Sequence, residues 1–301
     1  MKKLIFIFLF IVLITVYLFY GSSGDIILKL RLPRLLIGLL VGAGLSVSGA
    51  VFQALLRNPL AEPYTLGISG MVVLFVNLNS FCFFPNSFAA IFGAITAVTI
   101  IYAFIKRNQY SMTQVILIGI VLNILSISLV EFLSNFMKQS KFFASKFWLM
   151  GTLASLPVAW ELPIIFVAIV VITSIIIFYK QAKTLDILSL GEREAVYLGV
   201  NVKSKQKLFF LVASIMAGVC VAYTGIIGFV GLMIPHIVRF FSGPKHKNLI
   251  LGSSFLGAGY LVFSDFLAKN IFYPTEISVG VITGIFGSVF FFYLVFRKSE
   301  K

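Results

Sequence analysis

The sequence predicts an all-α, polytopic membrane protein with about ten transmembrane helices, on the basis of its composition and the lengths of its apolar runs. Of the 301 residues, 60% are hydrophobic and only 11% are charged, and the mean hydropathy is +1.06. A soluble globular chain is typically about half apolar and a quarter charged. Since no long polar stretch leaves room for a soluble domain, we expect residues 1–301 to form a single membrane domain.

Apolar runs of about 20 residues, the length that crosses a bilayer as a helix, recur along the chain. We interpret the N-terminal run as the first span because no convincing small-residue cleavage site follows it. Residues 142–156 predict a short helix at the outer surface rather than a span. The ten predicted spans, of which the eighth is broken, cover about residues 4–20, 33–56, 65–80, 87–105, 113–135, 160–179, 208–225, 227–242, 248–268 and 277–296.

The basic residues indicate how the chain is oriented. The net charge of +14 could suggest a nucleic-acid partner, but an excess of Lys and Arg is typical of the cytoplasmic side of membrane helices. With the N-terminus inside, 17 of the 24 Lys and Arg residues fall on the inner side and 7 on the outer side. The sequence therefore predicts a multi-pass protein of the cytoplasmic membrane with both termini in the cytosol, and no nucleic-acid partner.

The second predicted span carries many small residues and ends at a proline. Gly42 and Gly49 lie within it, and Asn58-Pro59 follows its end. Small residues let helix backbones approach closely in lipid, and irregular backbone at membrane depth is tolerated only where it is buried or lines a cavity. The pattern is compatible with a break at membrane depth, and equally with a packing helix followed by an ordinary turn.

A similar spacing recurs in the second half of the chain. Gly49 precedes Pro59 by ten residues, and Gly225 precedes Pro235 by ten. By the span count the two segments run in opposite directions, which predicts the inverted-repeat halves found in many transporters; chance could also produce two such spacings. His236 could ligate a haem or a metal in a pore, but we favour a structural role in which it donates to a carbonyl freed at the broken helix.

The sequence lacks the motifs of an enzyme. Nothing matches the phosphate-binding loop G-x-x-x-x-G-K-[ST], and the two histidines have no metal-site spacing around them. Of the acidic residues, only Glu131 and Asp265 fall within predicted spans, both toward the outer ends. Ion-coupled carriers usually place ionisable groups near the membrane midplane. We therefore expect no catalytic site, no bound metal and no cofactor, and this distribution argues against a secondary carrier.

Residues 180–207 form the only long polar segment, and the span count places it on the inner side. Glycines at 191 and 199 divide it into two helix-sized pieces. Ala195, Leu198 and Val202 fall at i, i+3 and i+7, which predicts one apolar face. The segment is either a compact linker between two spans or a plug that docks into a partner protein. A transporter that uses ATP without an ATPase site of its own would need such a plug.

Four blocks of the sequence resemble the FecCD family of ABC importer permeases: RLPRLLIGLLVGAGLSVSGAVFQALLRNPLAEPYTLGISG, LGEREAVYLGV, GFVGLMIPHIVRFFSG and the stretch from Ser264 to Gly287. The resemblance implies a homodimer of type II importer permeases with the substrate path along its two-fold axis. It also implies two cytosolic ATPase subunits, which would bind ATP and magnesium, and an extracytoplasmic solute-binding protein. The implied substrate is an iron complex, as a ferric siderophore or haem, with cobalamin as the alternative.

The resemblance also implies roles for individual residues. Docking of the binding protein would involve Arg31, Arg34 and Lys269. Coupling to the ATPase would involve Leu185, Asp186, Leu190, Gly191, Glu192, Arg193, Ala195, Leu198 and Gly199. The residues at helix breaks or in close packing would be Gly42, Gly49, Asn58, Pro59, Gly231, Pro235, His236, Glu276 and Gly280.

Two positions depart from the family pattern, and both concern docking rather than transport. The family usually has Arg at the position of Lys269, and a lysine replaces the planar fork of a guanidinium with a point charge. The family also has E-L-P-[IV]-G where this chain has Glu276 to Gly280 without proline, so a fixed bend is lost. From other classes, a secondary carrier would transport without an ATPase, and a structural scaffold would leave the broken helices unexplained.

Overall fold

The computed structural model of the chain describes residues 2–19, 27–79, 86–107, 112–136, 149–153 and 160–299. Helices are the only regular secondary structure in these ranges, and a π-helical turn, Ile27–Arg31, leads into the second α-helix. The twelve α-helices of the described residues are α1 (Lys2–Phe19), α2 (Leu32–Leu55), α3 (Ile68–Leu78), α4 (Asn86–Arg107), α5 (Met112–Ser134), α6 (Glu161–Lys180), α7 (Ala182–Leu190), α8 (Glu192–Tyr197), α9 (Val202–Thr224), α10 (Val230–Ser242), α11 (His246–Asn270) and α12 (Val279–Ser299).

Each of the ten predicted spans corresponds to one helix. In the described part of the chain, five helices are long and apolar enough to cross a membrane by length and composition, namely α2, α5, α6, α9 and α11. The other five, α1, α3, α4, α10 and α12, contain shorter apolar segments. The two remaining helices, α7 and α8, lie in the polar segment 180–207. The predicted surface helix at 142–156 lies outside the described residues apart from 149–153, which are mostly irregular.

Helix α2 lies at the centre of the bundle, where it packs against α6, α9, α10 and α11. A Cβ atom on Gly42 would overlap the backbone carbonyl of Gly257 in α11. One turn further, the Ser46 hydroxyl donates to the Ser253 carbonyl at 2.6 Å. Van der Waals packing and interhelical hydrogen bonds drive helix association in lipid, so the small residues of α2 account for its central position.

The packing of the first half recurs in the second half. Helices α2, α3 and α4 of the first half correspond to α9, α10 and α11 of the second. The contact of α2 with α11 corresponds to that of α9 with α4, and the contact of α3 with α4 corresponds to that of α10 with α11. Both α3 and α10 are short helices that follow an irregular segment. The repeat is therefore present in the packing, but the matched Gly-Pro spacings do not mark equivalent positions. Gly49 lies within α2, whereas Gly225 follows the end of its counterpart, α9.

The irregular segment near the predicted eighth span lies before its helix rather than at its proline. Helix α10 continues through Pro235, and the irregular residues are 225–229. The last of these, Phe229, has a left-handed φ of 67° and precedes the first turn of α10. The span predicted at 227–242 is therefore irregular at its beginning, residues 227–229, and not at Pro235.

Candidate functional site

The chain turns sharply where α2 ends. The Asn58 side-chain oxygen accepts a hydrogen bond from the Leu60 N–H at 2.8 Å, and the Asn58 carbonyl accepts one from the Ala61 N–H at 3.2 Å. Pro59 lies between these groups and has no N–H to donate. An asparagine that bonds the backbone two residues on, followed by proline, is a typical turn former. The structure thus places Asn58 and Pro59 in a turn at the end of α2, where Pro59 is exposed.

After this turn the chain re-enters the helix bundle. Residues 61–63 are buried, and Gly67, which precedes α3 with a left-handed φ of 71°, packs against the backbone of Gly119 in α5. Gly119 lies about 10 Å from the start of α5 at the rise of an α-helix. Irregular backbone at that depth is tolerated only where protein buries it or where it lines a cavity. The connection between α2 and α3 therefore consists of a largely exposed turn at 57–60 and a re-entrant segment that is mostly buried from residue 61 onward.

Glu62 is a buried carboxylate in this re-entrant segment, with 5% of its surface exposed. The carboxylate lies close to the backbone of Phe229, so it brings the two irregular segments of the bundle together. Apolar run length assigned only Glu131 and Asp265 to spans and missed Glu62, because it placed this residue in a loop. A third acidic residue therefore lies within the helix bundle, so the charge distribution does not by itself argue against an ion-coupled carrier.

The proline in α10 frees a carbonyl that a side chain of α2 bonds. Because Pro235 has no N–H, it cannot bond the Gly231 carbonyl four residues earlier. The Gln53 side-chain amide donates to that carbonyl at 3.2 Å and to the Leu232 carbonyl at 3.4 Å, while its oxygen accepts from Arg239. The close approach of the two helices makes this contact possible, since a Cβ atom on Gly49 would overlap the backbone of Gly231.

His236 therefore does not have the predicted role. Its ring packs edge-on against the ring of Phe290 in α12, with the centroids 5.8 Å apart, and Gln53 is the residue that bonds the freed carbonyl. The signal in the sequence was a glutamine between the small residues of α2, but nothing in the sequence indicates that it faces Pro235. No group of three or more His, Cys, Asp or Glu side chains that could hold a metal occurs among the described residues.

At the opposite end of α2, a buried carboxylate holds two cations. The Asp265 side chain has no exposed surface. The Arg34 Nε atom donates to both of its oxygens at 3.0 Å, and Nη2 donates to Oδ1 at 2.7 Å. The Tyr17 hydroxyl donates to Oδ2 at 2.6 Å, and Lys269 Nζ lies 3.3 Å from the same oxygen. This ion pair ties α1, α2 and α11 together, and we call these four side chains with Glu276 the arginine cluster.

Glu276 joins the arginine cluster from outside the helices. Its Oε2 atom accepts a hydrogen bond from Arg34 Nη1 at 2.9 Å, and its side chain is 48% exposed. The sequence assigned Glu276 to helix packing, and the structure instead gives it an ion pair. Gly280, assigned to the same role, does pack closely, because a Cβ atom there would overlap the Met150 carbonyl.

The outer basic residues that the sequence offers for docking are mostly covered by the chain itself. The Arg34 and Lys269 side chains are only 11% and 19% exposed. Arg31 donates to the main-chain carbonyls of Tyr17 and Leu18 at 3.1 and 3.3 Å. The Nη1 edge of Arg34, which points away from Asp265, is the edge that Glu276 covers. A docking role for these three basic residues stays a prediction.

The polar segment between α6 and α9 is anchored to the bundle by buried residues. Leu185 in α7 and Ala195 in α8 are fully buried. The Asp186 Oδ1 atom accepts hydrogen bonds from the backbone N–H of His246 at 2.8 Å and lies 2.6 Å from its Nδ1 atom. A carboxylate is stabilised at a helix N-terminus. His246 begins α11, so this contact lies about 28 Å along α11 from Asp265 at the rise of an α-helix.

The apolar residues that the segment leaves exposed differ from the predicted face. Ala195 and Val202 are buried, whereas Leu198 is exposed, because α8 ends at Tyr197 and the chain turns at Gly199, which has a φ of 77°. Exposed charged residues, Glu192 and Arg193 among them, begin α8 after Gly191. The exposed apolar side chains, which we call the α7–α8 apolar group, are Leu190 (64%), Val196 (62%), Tyr197 (90%) and Leu198 (58%).

Related halves that each contain a short helix after an irregular segment are typical of membrane transporters. The chain belongs to the FecCD transport family, which matches residues 4–297. It is 33% identical over 283 residues to the hemin transport system permease HmuU of Yersinia pestis, covering 91% of this chain and 84% of that protein. It is 34% identical over 293 residues to the iron(3+)-hydroxamate import permease FhuG of Bacillus subtilis, covering 93% of this chain and 86% of that protein.

Other relatives and solved structures agree with this assignment. The vitamin B12 import permease BtuC of Yersinia pseudotuberculosis is 33% identical over 285 residues, covering 92% of this chain and 84% of that protein. A metal-chelate type ABC transporter solved in an inward-facing conformation superposes with a TM-score of 0.87 at 28% identity, covering 97% of each chain. PsaBC from Streptococcus pneumoniae shares the fold, with a TM-score of 0.62 at 23% identity, covering 89% of this chain and 92% of that chain. The protein is therefore a permease subunit of an ABC importer.

Proposed function

We propose that this permease carries an iron complex, a ferric siderophore or haem, across the cytoplasmic membrane of a prokaryote. The observation that carries the proposal is the family match over 4–297, together with relatives named for hemin and for iron(3+)-hydroxamate. Cobalamin is the alternative, because a relative of similar identity is a vitamin B12 permease. Both termini would lie in the cytosol, as the distribution of basic residues favours. The whole chain would act as a single permease domain.

The working assembly would be a homodimer with two cytosolic ATPase subunits and an extracytoplasmic solute-binding protein. The chain would have no enzymatic site and no cofactor of its own, and the ATPase subunits would bind ATP and magnesium. The substrate would pass along the two-fold axis of the dimer. ATP binding would switch the dimer between outward-open and inward-open states by rigid movements of packed helices.

The α7–α8 apolar group is the part of the chain best suited to contact the ATPase subunits and to transmit their movement to the permease. Its residues are exposed at a polar surface, where apolar side chains in number mark an interaction site. The buried Leu185 and Ala195 would fix the two helices to the bundle, and Asp186 would transmit displacement to the first turn of α11. Helix α11 packs along α2 and carries Asp265 near its other end, so one rigid element would join the ATPase surface to the arginine cluster.

A matched pair of tyrosine variants tests this coupling surface. Tyr197 is 90% exposed in the inner segment, and Tyr273 is 84% exposed on the turn between α11 and α12. We expect Tyr197→Ala to weaken binding of the ATPase about 30-fold, since an aromatic hot spot at an interface is worth about 2 kcal/mol or more. Tyr273→Ala should leave binding unchanged. Equal affinity of the two variants in a titration of detergent-solubilised permease with ATPase would remove the α7–α8 apolar group from the interface.

The substrate is tested by uptake into proteoliposomes that contain the permease, its ATPase and its binding protein. Labelled ferric hydroxamates, ferric catecholates, haem and cobalamin are offered separately and in competition. We expect ATP-dependent accumulation of one iron complex, with cobalamin neither taken up nor competing. Uptake of cobalamin alone would establish the alternative and overturn the iron assignment.

A further inference from the structure

The two carboxylates of the arginine cluster differ in how easily another group could replace them. Asp265 is fully buried and bonds Arg34 through Nε and Nη2, with Lys269 on its second oxygen. Removing one partner of a buried ion pair leaves an uncompensated charge in the protein, which is strongly destabilising. Asp265 is therefore a fixed part of the fold.

Glu276 is bound in a different way. It bonds only the remaining Nη1 edge of Arg34, at 2.9 Å, and nearly half of its side chain is exposed. It is the last residue of an exposed stretch, residues 271–276, that follows α11. Ion pairs that solvent reaches contribute little to stability, typically less than about 1 kcal/mol, and solvent reaches this pair through the half-exposed side chain of Glu276. Water or another carboxylate can therefore take the place of Glu276 at low cost.

The charge balance of the arginine cluster favours such an exchange. Two cations, Arg34 and Lys269, face one buried carboxylate, so Glu276 provides the negative charge that balances the second cation. If Glu276 swings away, the cluster keeps an uncompensated positive charge at its outer edge. A guanidinium edge already held in place by Asp265 is preorganised for a carboxylate, because no side-chain entropy remains to be lost.

We propose that Glu276 is an internal stand-in for a carboxylate of the solute-binding protein. In the free permease it covers the Nη1 edge of Arg34, and on docking an acidic side chain of the binding protein displaces it. This rests on the proposed function, since it requires a binding protein at the outer face. Docking then exchanges one carboxylate for another on the same cation, which keeps the complex weak enough to dissociate after each delivery.

Binding measurements on the complete permease–ATPase complex in lipid nanodiscs test the exchange. The affinity of the cognate binding protein is measured for the wild type, Glu276→Gln, Glu276→Asp and, as a control, Glu161→Gln. Glu161 is an exposed acid in the first turn of α6. We expect Glu276→Gln to bind the binding protein about 3- to 5-fold more tightly, the factor that an exposed ion pair is worth. The Glu161 variant should bind as the wild type does.

Glu276→Asp distinguishes the direct contact of residue 276 with the Arg34 guanidinium from a long-range effect of its negative charge. Aspartate keeps the charge but is one methylene shorter, so it covers Nη1 poorly, and we expect an affinity between those of the wild type and the glutamine variant. An aspartate variant that matches the wild type while glutamine tightens binding would reduce Glu276 to a source of long-range repulsion. Unchanged or weaker binding by both variants would overturn the proposal that Glu276 is a stand-in, and the proposed function would remain unaffected. Wild-type permease that binds no solute-binding protein at all would overturn the proposed function itself.

Discussion

The contact between Gln53 and the proline of α10 yields a prediction that depends on one freed carbonyl. Gln53→Met keeps the length of the side chain and removes its amide. The Gly231 carbonyl, which Pro235 cannot bond, then loses its partner, and so does the Arg239 guanidinium. An unsatisfied buried polar group costs about 1–3 kcal/mol, and a lost hydrogen bond to a charged group costs about 1.5–3 kcal/mol. We expect the variant to lose roughly 3–5 kcal/mol of unfolding free energy.

A second substitution measures how much of the lost unfolding free energy comes from the unpaired Gly231 carbonyl. Pro235→Ala restores an N–H group four residues after Gly231, so the helix can bond this carbonyl itself. In that background Gln53→Met should cost only the Arg239 contribution, about 1.5–3 kcal/mol. The difference between the two costs is the coupling energy of a double-mutant cycle.

The assay is reversible unfolding of the purified permease in mixed micelles, followed by helical circular dichroism for the four proteins of the cycle. A coupling energy of about 1 kcal/mol or more between positions 53 and 235 agrees with the geometry. Additive effects would refute the reasoning, because they would mean that Gln53 does not replace the hydrogen bond that Pro235 removes.

Two further predictions concern packing at the centre of the bundle and at its inner end. Gly42→Val should abolish stable folding, seen as loss of a monodisperse peak in size-exclusion chromatography, because a Cβ there overlaps the Gly257 carbonyl. Gly284→Ala, a helical glycine with open space around it, should elute as the wild type does. Asp186→Ala should speed hydrogen exchange of the α7 amides about 5- to 30-fold, since its bond to the His246 N–H contributes about 1–2 kcal/mol. Asp186→Asn, which keeps an acceptor oxygen, should restore most of the protection, and equal exchange in both variants would contradict this anchor.

The helices could be predicted from the sequence because the signal for each is local. A run of about 20 apolar residues specifies a span without reference to the rest of the chain. Glycines at 191 and 199 likewise divide the polar segment into α7 and α8, where the structure has both helices. The small residues of α2 predicted close packing, and Gly42 and Gly49 do approach neighbouring backbones. The resemblance to the FecCD family is confirmed by the match over 4–297.

The contacts that fix the two ends of the bundle could not be predicted in this way. The partners Arg34 and Asp265 are separated by 231 residues, and Gln53 and Arg239 by 186. Sequence spacing carries no information on such distant pairs, so Arg34 was assigned to docking alone. Glu62 was missed for a related reason, because a hydropathy run cannot distinguish a buried re-entrant segment from a surface loop. The exposure of Leu198 depends on where α8 ends, and helix boundaries are the least certain part of a prediction from sequence.

ATP-dependent uptake into sealed proteoliposomes tests the central claim most directly. Vesicles with the permease alone, and with its ATPase and binding protein added, are loaded with ATP or left empty, with and without proton and sodium gradients. We expect accumulation of the iron complex only with all components and internal ATP, and no response to either gradient. Uptake by the permease alone that follows an ion gradient, and that Glu62→Gln abolishes, would contradict the account and make the chain a secondary carrier on an importer fold.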